Sequence, residues 1–161
     1  MESQAFETTI TGMHSILIPN DIATSFIDND FERVKVIARF KGNTVEFHAA
    51  LQKDASGIFR ITCNQKLQKA LGVFRNDYFI LRLKGDHSKY GVDMPEELEA
   101  VLDSDPKAFK IFEDFTAGKK RSIIYSILRY RQSQTRIDKS LLLCENLNRG
   151  ITDQNILLRK N

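Results

Sequence analysis

Two runs of alternating apolar residues, separated by a short turn, constrain this 161-residue chain more than any other feature. Val34, Val36, Ala38 and Phe40 recur at every second position. Lys41-Gly42-Asn43 follows, and then Val45, Phe47, Ala49 and Leu51 repeat the spacing. A period of two with a glycine turn between the runs predicts a hairpin with one buried face. A lone hairpin is marginal in water and needs neighbours. The chain supplies them as Phe6–Thr11 and His14–Ile18 around Gly12, Ile58–Cys63 after the Asp54-Ala55-Ser56-Gly57 turn, and Asp77–Leu83. In that sixth run alternation breaks, which predicts a strand covered on both faces.

Two short helices interrupt the strands, Asn20–Ile27 after Pro19 and Gln65–Leu71 between Asn64 and Gly72. Asn64 is suited to an N-cap and Gly72 to the left-handed residue that ends a helix. Ser15-Ile16-Leu17-Ile18-Pro19-Asn20-Asp21-Ile22 and Phe59-Arg60-Ile61-Thr62-Cys63-Asn64-Gln65-Lys66-Leu67 share one strand–turn–helix pattern, which suggests an internal duplication. Duplicated halves close readily into a barrel, and closure removes exposed edges. The expectation is an α+β chain, with a small closed six-stranded barrel over residues 1–90 and a C-terminal helical region of three to four helices over residues 94–161.

The polar stretch Gly85–Asp93 is the expected connector. Asp93 with Glu96 has capping-box spacing, and Asp105-Pro106 reads as an N-cap followed by proline at the first helical position. The first helix presents Leu98, Val101 and Leu102, and the second presents Phe109, Ile111, Phe112 and Phe115. A third runs over about Lys119–Gln132. Helical spacing there puts Ile123, Ile124, Ile127, Leu128 and Tyr130 on one face, and Arg121, Tyr125 and Arg129 on the other. In a fourth helix, over about Gln134–Asn148, Ile137, Leu141, Cys144 and Leu147 form a core stripe, which makes Cys144 a buried structural thiol. The tail, with Ile156, Leu157 and Leu158, is free to dock on the barrel or on a neighbouring molecule.

These residues resemble two families. The pattern Phe59-x-Ile61-x-x-Asn64-x-x-Leu67-x-Lys69-Ala70-Leu71-Gly72-Val73, followed by Asn76-Asp77-x-Phe79-x-Leu81-x-Leu83, resembles a bacterial family of unknown function. Its members share a double-split β-barrel with the architecture of AbrB-type regulators. Phe6, His14-x-Ile16-x-Ile18-Pro19 and the Arg33-Val34–Gly42–Phe47 hairpin fit the same pattern. Asn76 stands where that family usually has glycine, and asparagine also tolerates a left-handed turn. Met94-Pro95-Glu96-Glu97-Leu98, then Leu102-x-x-Asp105-Pro106-x-Ala108-x-x-x-Phe112, resembles the helical region called bacteriocin-protection, YdeI or OmpD-associated. That family tends to show Ala-Lys where this chain has Tyr130-Arg131, and Arg-Ile-x-Lys where it has Arg136-Ile137-Asp138-Lys139. The second resemblance implies a link to envelope or antimicrobial-peptide stress, without a known chemistry.

Charge narrows the functional reading. Residues 93–117 hold eight acidic and two basic side chains, and residues 118–161 hold three acidic and ten basic ones. Internal pairing between the two segments is the first expectation. A basic surface of Lys120, Arg121, Tyr125, Arg129, Arg131, Arg136 and Lys139 is the candidate for binding an anion or a partner. Arg131 projects toward the apolar side of the third helix, so either a carboxylate such as Glu113 or Asp114 meets it or it lines a pocket. His14, His48 and His87 have no metal-ligand spacing, and His48 shares its strand face with Glu46 as a solvated pair. No phosphate-binding glycine loop or nucleophile motif occurs, and neighbouring carboxylates such as Glu96-Glu97 diverge on a helix. No catalytic residue, metal or cofactor is therefore assigned.

The expectation is a non-enzymatic binding module for a protein or a small anionic ligand, monomeric or weakly dimeric. The alternatives are a nucleic-acid-binding regulator of AbrB-like architecture and an enzyme of unrecognised type with its site at the barrel–helix junction. Two cysteines, no run of 18 apolar residues and a start without a basic or apolar leader give the expectation of a cytoplasmic protein with no membrane span.

Overall fold

The hairpin forms as its alternation demands. In the computed structural model, which describes all 161 residues, β3 (Arg33–Phe40) pairs antiparallel with β4 (Asn43–Ala50). Val34 lies opposite Ala49 and Val36 opposite Phe47, and all four are buried. The turn needs only two residues. Lys41 (φ +45°) and Gly42 (φ +81°) are both left-handed, the backbone that matches strand twist in a two-residue hairpin.

Five more strands complete the sheet: β1 (Phe6–Thr11), β2 (Ser15–Ile18), β5 (Gln52–Lys53), β6 (Phe59–Thr62) and β7 (Tyr78–Gly85). Their order is β4-β3-β7-β1-β2-β6-β5, with every pair antiparallel. Helices α1 (Asn20–Ile27) and α2 (Gln65–Leu71) follow β2 and β6. Equivalent pieces of the suspected duplication pair with each other. β2 lies against β6, with Ile16 opposite Ile61, and β3 lies against β7, with Ile37 opposite Arg82. The Asn64 side chain accepts from Leu67 N–H at 2.9 Å, and Gly72 (φ +83°) ends α2.

The closed six-stranded barrel is thereby corrected. The sheet has seven strands and curls as a half-barrel, and the chain carries six helices. Its two terminal strands, β4 and β5, are consecutive in the chain with only Leu51 between them. The two strands do not pair with each other; the stretch they form pairs with β3 through β4 and with β6 through β5. The Leu51 N–H donates to the Glu32 carbonyl at 2.9 Å. A second correction concerns β7, which is covered on one face only. Phe79, Leu81 and Leu83 are buried, whereas Tyr78, Ile80 and Arg82 are exposed. Ile80 is apolar but 40% exposed, and its hydrophobicity hid the alternation.

Two compact units divide the chain, Met1–His87 and Ser88–Asn161. The second contains α3 (Glu96–Ser104), α4 (Pro106–Glu113), α5 (Ala117–Leu128) and α6 (Ser133–Asn148). α6 packs against the other three around Leu98, Leu102, Phe112, Ile124, Ile127, Leu143 and Leu147. Asp105 caps α4 by accepting from Ala108 N–H at 3.1 Å. Pro95, not Asp93, takes the N-cap position of α3.

Leu141 leaves the expected stripe and is 52% exposed. The buried line on α6 is Ser140, Leu143, Cys144 and Leu147, the i, i+3, i+4, i+7 set, from which Leu141 is rotated by about 100°. The tail folds onto α6 of its own unit. Leu157 is fully buried, and the buried Asn146 amide donates to the carbonyls of Leu157 and Arg159 at 2.9 Å each.

One glycine in the sheet is fixed by packing. A Cβ on Gly85 would lie 2.6 Å from the Phe31 ring, which also meets the rings of Phe26 and His87 edge to face. Gly85→Ala should therefore destabilise the protein by about 1–3 kcal/mol through overpacking. Urea denaturation followed by circular dichroism measures this, and Phe31→Leu in the same chain should restore part of the loss. An unchanged midpoint for Gly85→Ala would show that the ring yields at no cost.

Candidate functional site

The helical unit contains a pocket of about 300 Å³ between the irregular segment that enters α3 and the facing sides of α3 and α4. Tyr90, Val92 and Met94 come from the entering segment, Leu102 from α3 and Phe109 from α4. Lys89, Asp93, Glu99 and Asp103 bring charge to its lining. Leu102 points inward because it belongs to the apolar stripe of α3. Glu99 and Asp103, four residues apart, share the neighbouring, exposed side of that helix.

A polar cluster fastens one wall. The Tyr90 hydroxyl donates to Glu113 Oε1 at 2.5 Å, and Lys89 Nζ lies 3.3 Å from Glu113 Oε2. Lys120 Nζ donates to the Glu113 backbone carbonyl at 3.2 Å and sits 5.6 Å from the centre of the Tyr90 ring. That ring meets the fully buried Phe112 edge to face at 5.8 Å. Lys89 Nζ lies over both Tyr90 and Phe109, 5.1 and 5.2 Å from the ring centres.

The protonation states agree with this geometry. Burial raises the Tyr90 pKa, and the hydrogen bond to Glu113 raises it further, so the phenol keeps its proton. Burial works to raise Glu113 as well. The Tyr90 hydrogen bond and the nearby Lys89 outweigh it and hold the carboxyl below its ordinary value of 4.5. Lys89 is pushed up, chiefly by its hydrogen bond to Tyr90.

The seven basic-surface candidates are not brought to one place. Lys120 belongs to the Tyr90–Glu113 cluster. Arg136 donates to the Tyr130 carbonyl at 2.7 Å and lies 3.8 Å from Glu97, one contact between the acidic and basic segments. Lys139 donates to the Leu158 carbonyl at 3.1 Å and lies over Tyr130. Arg121, Tyr125 and Arg129 remain together on the outer side of α5, half-buried, 46% exposed and exposed respectively. Arg131 is exposed and meets neither Glu113 nor Asp114. α5 ends at Leu128, so the helical spacing that aimed Arg131 at the apolar side no longer applies.

His48 is a further departure. Its Nδ1 lies 2.7 Å from Asp86 Oδ2, and the two side chains are only 10% and 3% exposed, so the pair is buried rather than solvated. Glu46 pairs with Lys35 at 2.9 Å. Both cysteines are buried, and burial pushes each thiol up to about 11. No group of three or more His, Cys, Asp or Glu side chains is arranged to hold a metal ion.

Nothing in the residue pattern joined Tyr90 to Glu113. They lie 23 positions apart, Tyr90 in a polar connector and Glu113 at the end of a helix. The usable signal was an aromatic residue isolated in that connector, followed by a region with a large excess of carboxylates.

Residues 91–150 match the family described as Bacteriocin-protection, YdeI or OmpD-Associated. The match begins beside Tyr90 and covers all four helices of the second unit. No curated protein and no solved structure matches the chain. The AbrB-like architecture expected for residues 1–90 thus gains no support from these comparisons.

The cluster makes a pH-dependent prediction. Tyr90→Phe removes a hydrogen bond to a charged acceptor and should cost about 1–3 kcal/mol near neutral pH. Because the Glu113 pKa is lower folded than unfolded, this stabilisation is present above about pH 4.5 and is lost as pH falls through the folded value. The gap between the urea midpoints of the two proteins should be narrower at pH 3 than at pH 7. An equal gap at both values would show that Glu113 ionisation has no part in it.

Proposed function

We propose that this chain is a bacterial, non-enzymatic binding module linked to bacteriocin protection or envelope stress, and that its binding site is the Tyr90–Phe109 pocket. The observation that carries the reading is the Tyr90–Glu113 bond beside that pocket. It holds the entering segment against α4, so the wall is in place before any ligand arrives, and less ordering cost falls on binding. The chemical groups support binding over turnover. Glu113 already receives Tyr90 and Lys89, while the remaining lining combines an apolar floor with a few charged groups, the usual composition of a recognition pocket. The match over residues 91–150 supports the physiological setting. No helix is long and apolar enough to cross a membrane. We place the protein in the cytoplasm, where its two free thiols fit a reducing environment.

A fragment screen with cationic, anionic and neutral compounds, read by amide chemical shifts, tests the site. Hits should cluster at Tyr90, Leu102 and Phe109, with the compounds recovered unchanged. Hits located only elsewhere would overturn the assignment, and chemical conversion of a compound would favour the enzyme alternative.

The Arg121, Tyr125 and Arg129 side of α5 favours a second reading, a surface for an anionic partner, nucleic acid included. Two arginines flank an exposed tyrosine at helical spacing, a set able to contact phosphates and stack on a base. Arg121→Glu with Arg129→Glu should leave the circular dichroism spectrum unchanged and elute from heparin at lower salt. Duplex DNA titrated at two salt concentrations distinguishes the nucleic-acid case. An unfolded double variant would make the arginines structural, and unchanged elution would remove the reading.

A further inference from the structure

Resting on the pocket as the binding site, we infer that its ligand is a cationic side chain with an aliphatic neck, presented by a lysine- or arginine-containing apolar peptide segment of a partner protein. Size gives the first constraint. About 300 Å³ is the lower end for small-molecule pockets and suits one long side chain with part of an apolar neighbour. Charge gives the second. Glu99 and Asp103 stand four residues apart on α3, are exposed and take part in no ion pair. Like charges at that spacing disfavour the helix that bears them, and a bound cation relieves the repulsion. Lys89, the cation of the lining, is already engaged by Glu113 at 3.3 Å, so it does not neutralise them. The floor gives the third. Met94 and Phe109 line the pocket half-buried, which offers apolar contact to methylene groups while the charged head stays at the carboxylate rim. Lys89 shows the same chemistry internally, with its ammonium resting over Phe109 and Tyr90. An acidic ligand would meet Glu99 and Asp103 at the entrance and be repelled.

The full chain, titrated with an end-blocked hexapeptide of leucine and lysine and with its counterpart carrying glutamate for lysine, tests this by amide chemical shifts. The lysine peptide should move the amides of Tyr90, Leu102 and Phe109, and the glutamate peptide should not. Glu99→Gln with Asp103→Asn removes both charges at nearly constant shape, and affinity should fall about ten-fold. Glu99→Gln alone serves if the double variant does not fold, with a smaller loss expected. Affinity retained within two-fold in the variants would overturn the inference. Equal or tighter binding of the glutamate peptide at the same amides would overturn the cationic class and leave the pocket standing as the site. If neither peptide moves those amides, the inference fails. The fragment screen then decides separately whether the pocket binds anything.

Discussion

A carboxylate drawn largely out of water must be compensated, and in the helical unit that requirement falls on Glu113. Its two oxygens are taken by different residues, one by the Tyr90 hydroxyl and the other by the Lys89 ammonium. Both partners come from the segment before α3, so satisfying one charge also fixes the path of a stretch without regular structure. The Tyr90 ring is set against Phe112 by the same arrangement, which ties the polar cluster to the core. Removing one partner leaves an under-satisfied charge at a half-buried position, a larger penalty than the bond itself suggests. The pocket owes its wall to this compensation, and the functional reading follows from the wall.

The sheet obeys a different constraint. Each of two similar strand–helix–strand pieces contributes one strand to a pair with its counterpart, β2 to β6 and β3 to β7. These pairings put Ile16, Ile61, Val36 and Leu83 on one side, where they share a core. The run from β4 through Leu51 into β5 pairs with β3 at one end and with β6 at the other. β5 is two residues long and bears only polar, exposed side chains, a short edge of the kind that resists pairing with other chains.

How far the residues disclose this arrangement depends on the range of the interaction. The 33–51 hairpin, the Asn64 and Asp105 caps and the left-handed glycines were legible, since each is decided within a few positions. Ile80 and Leu141 were misread because hydrophobicity does not say which side of an element meets the core. Arg131 was misread because its direction assumed a helix that ends before it. The buried His48–Asp86 pair and the Tyr90–Glu113 bond link residues 38 and 23 positions apart, and no local pattern encodes either. Most of the strand pattern could be read in advance, whereas the candidate site emerged only from tertiary placement.

Residues 156–159 hold part of α6 in place. Asn146, sealed inside α6, finds its acceptors on carbonyls between residues 156 and 159, and Leu157 fills space beside it. The 156–159 segment is thus tied to the interior through Leu157 and its carbonyls, although Arg159 itself is exposed. Trimming it by protease would strand an amide without acceptors and open a void in the same stroke. The helical unit depends on the 156–159 segment as it depends on its core.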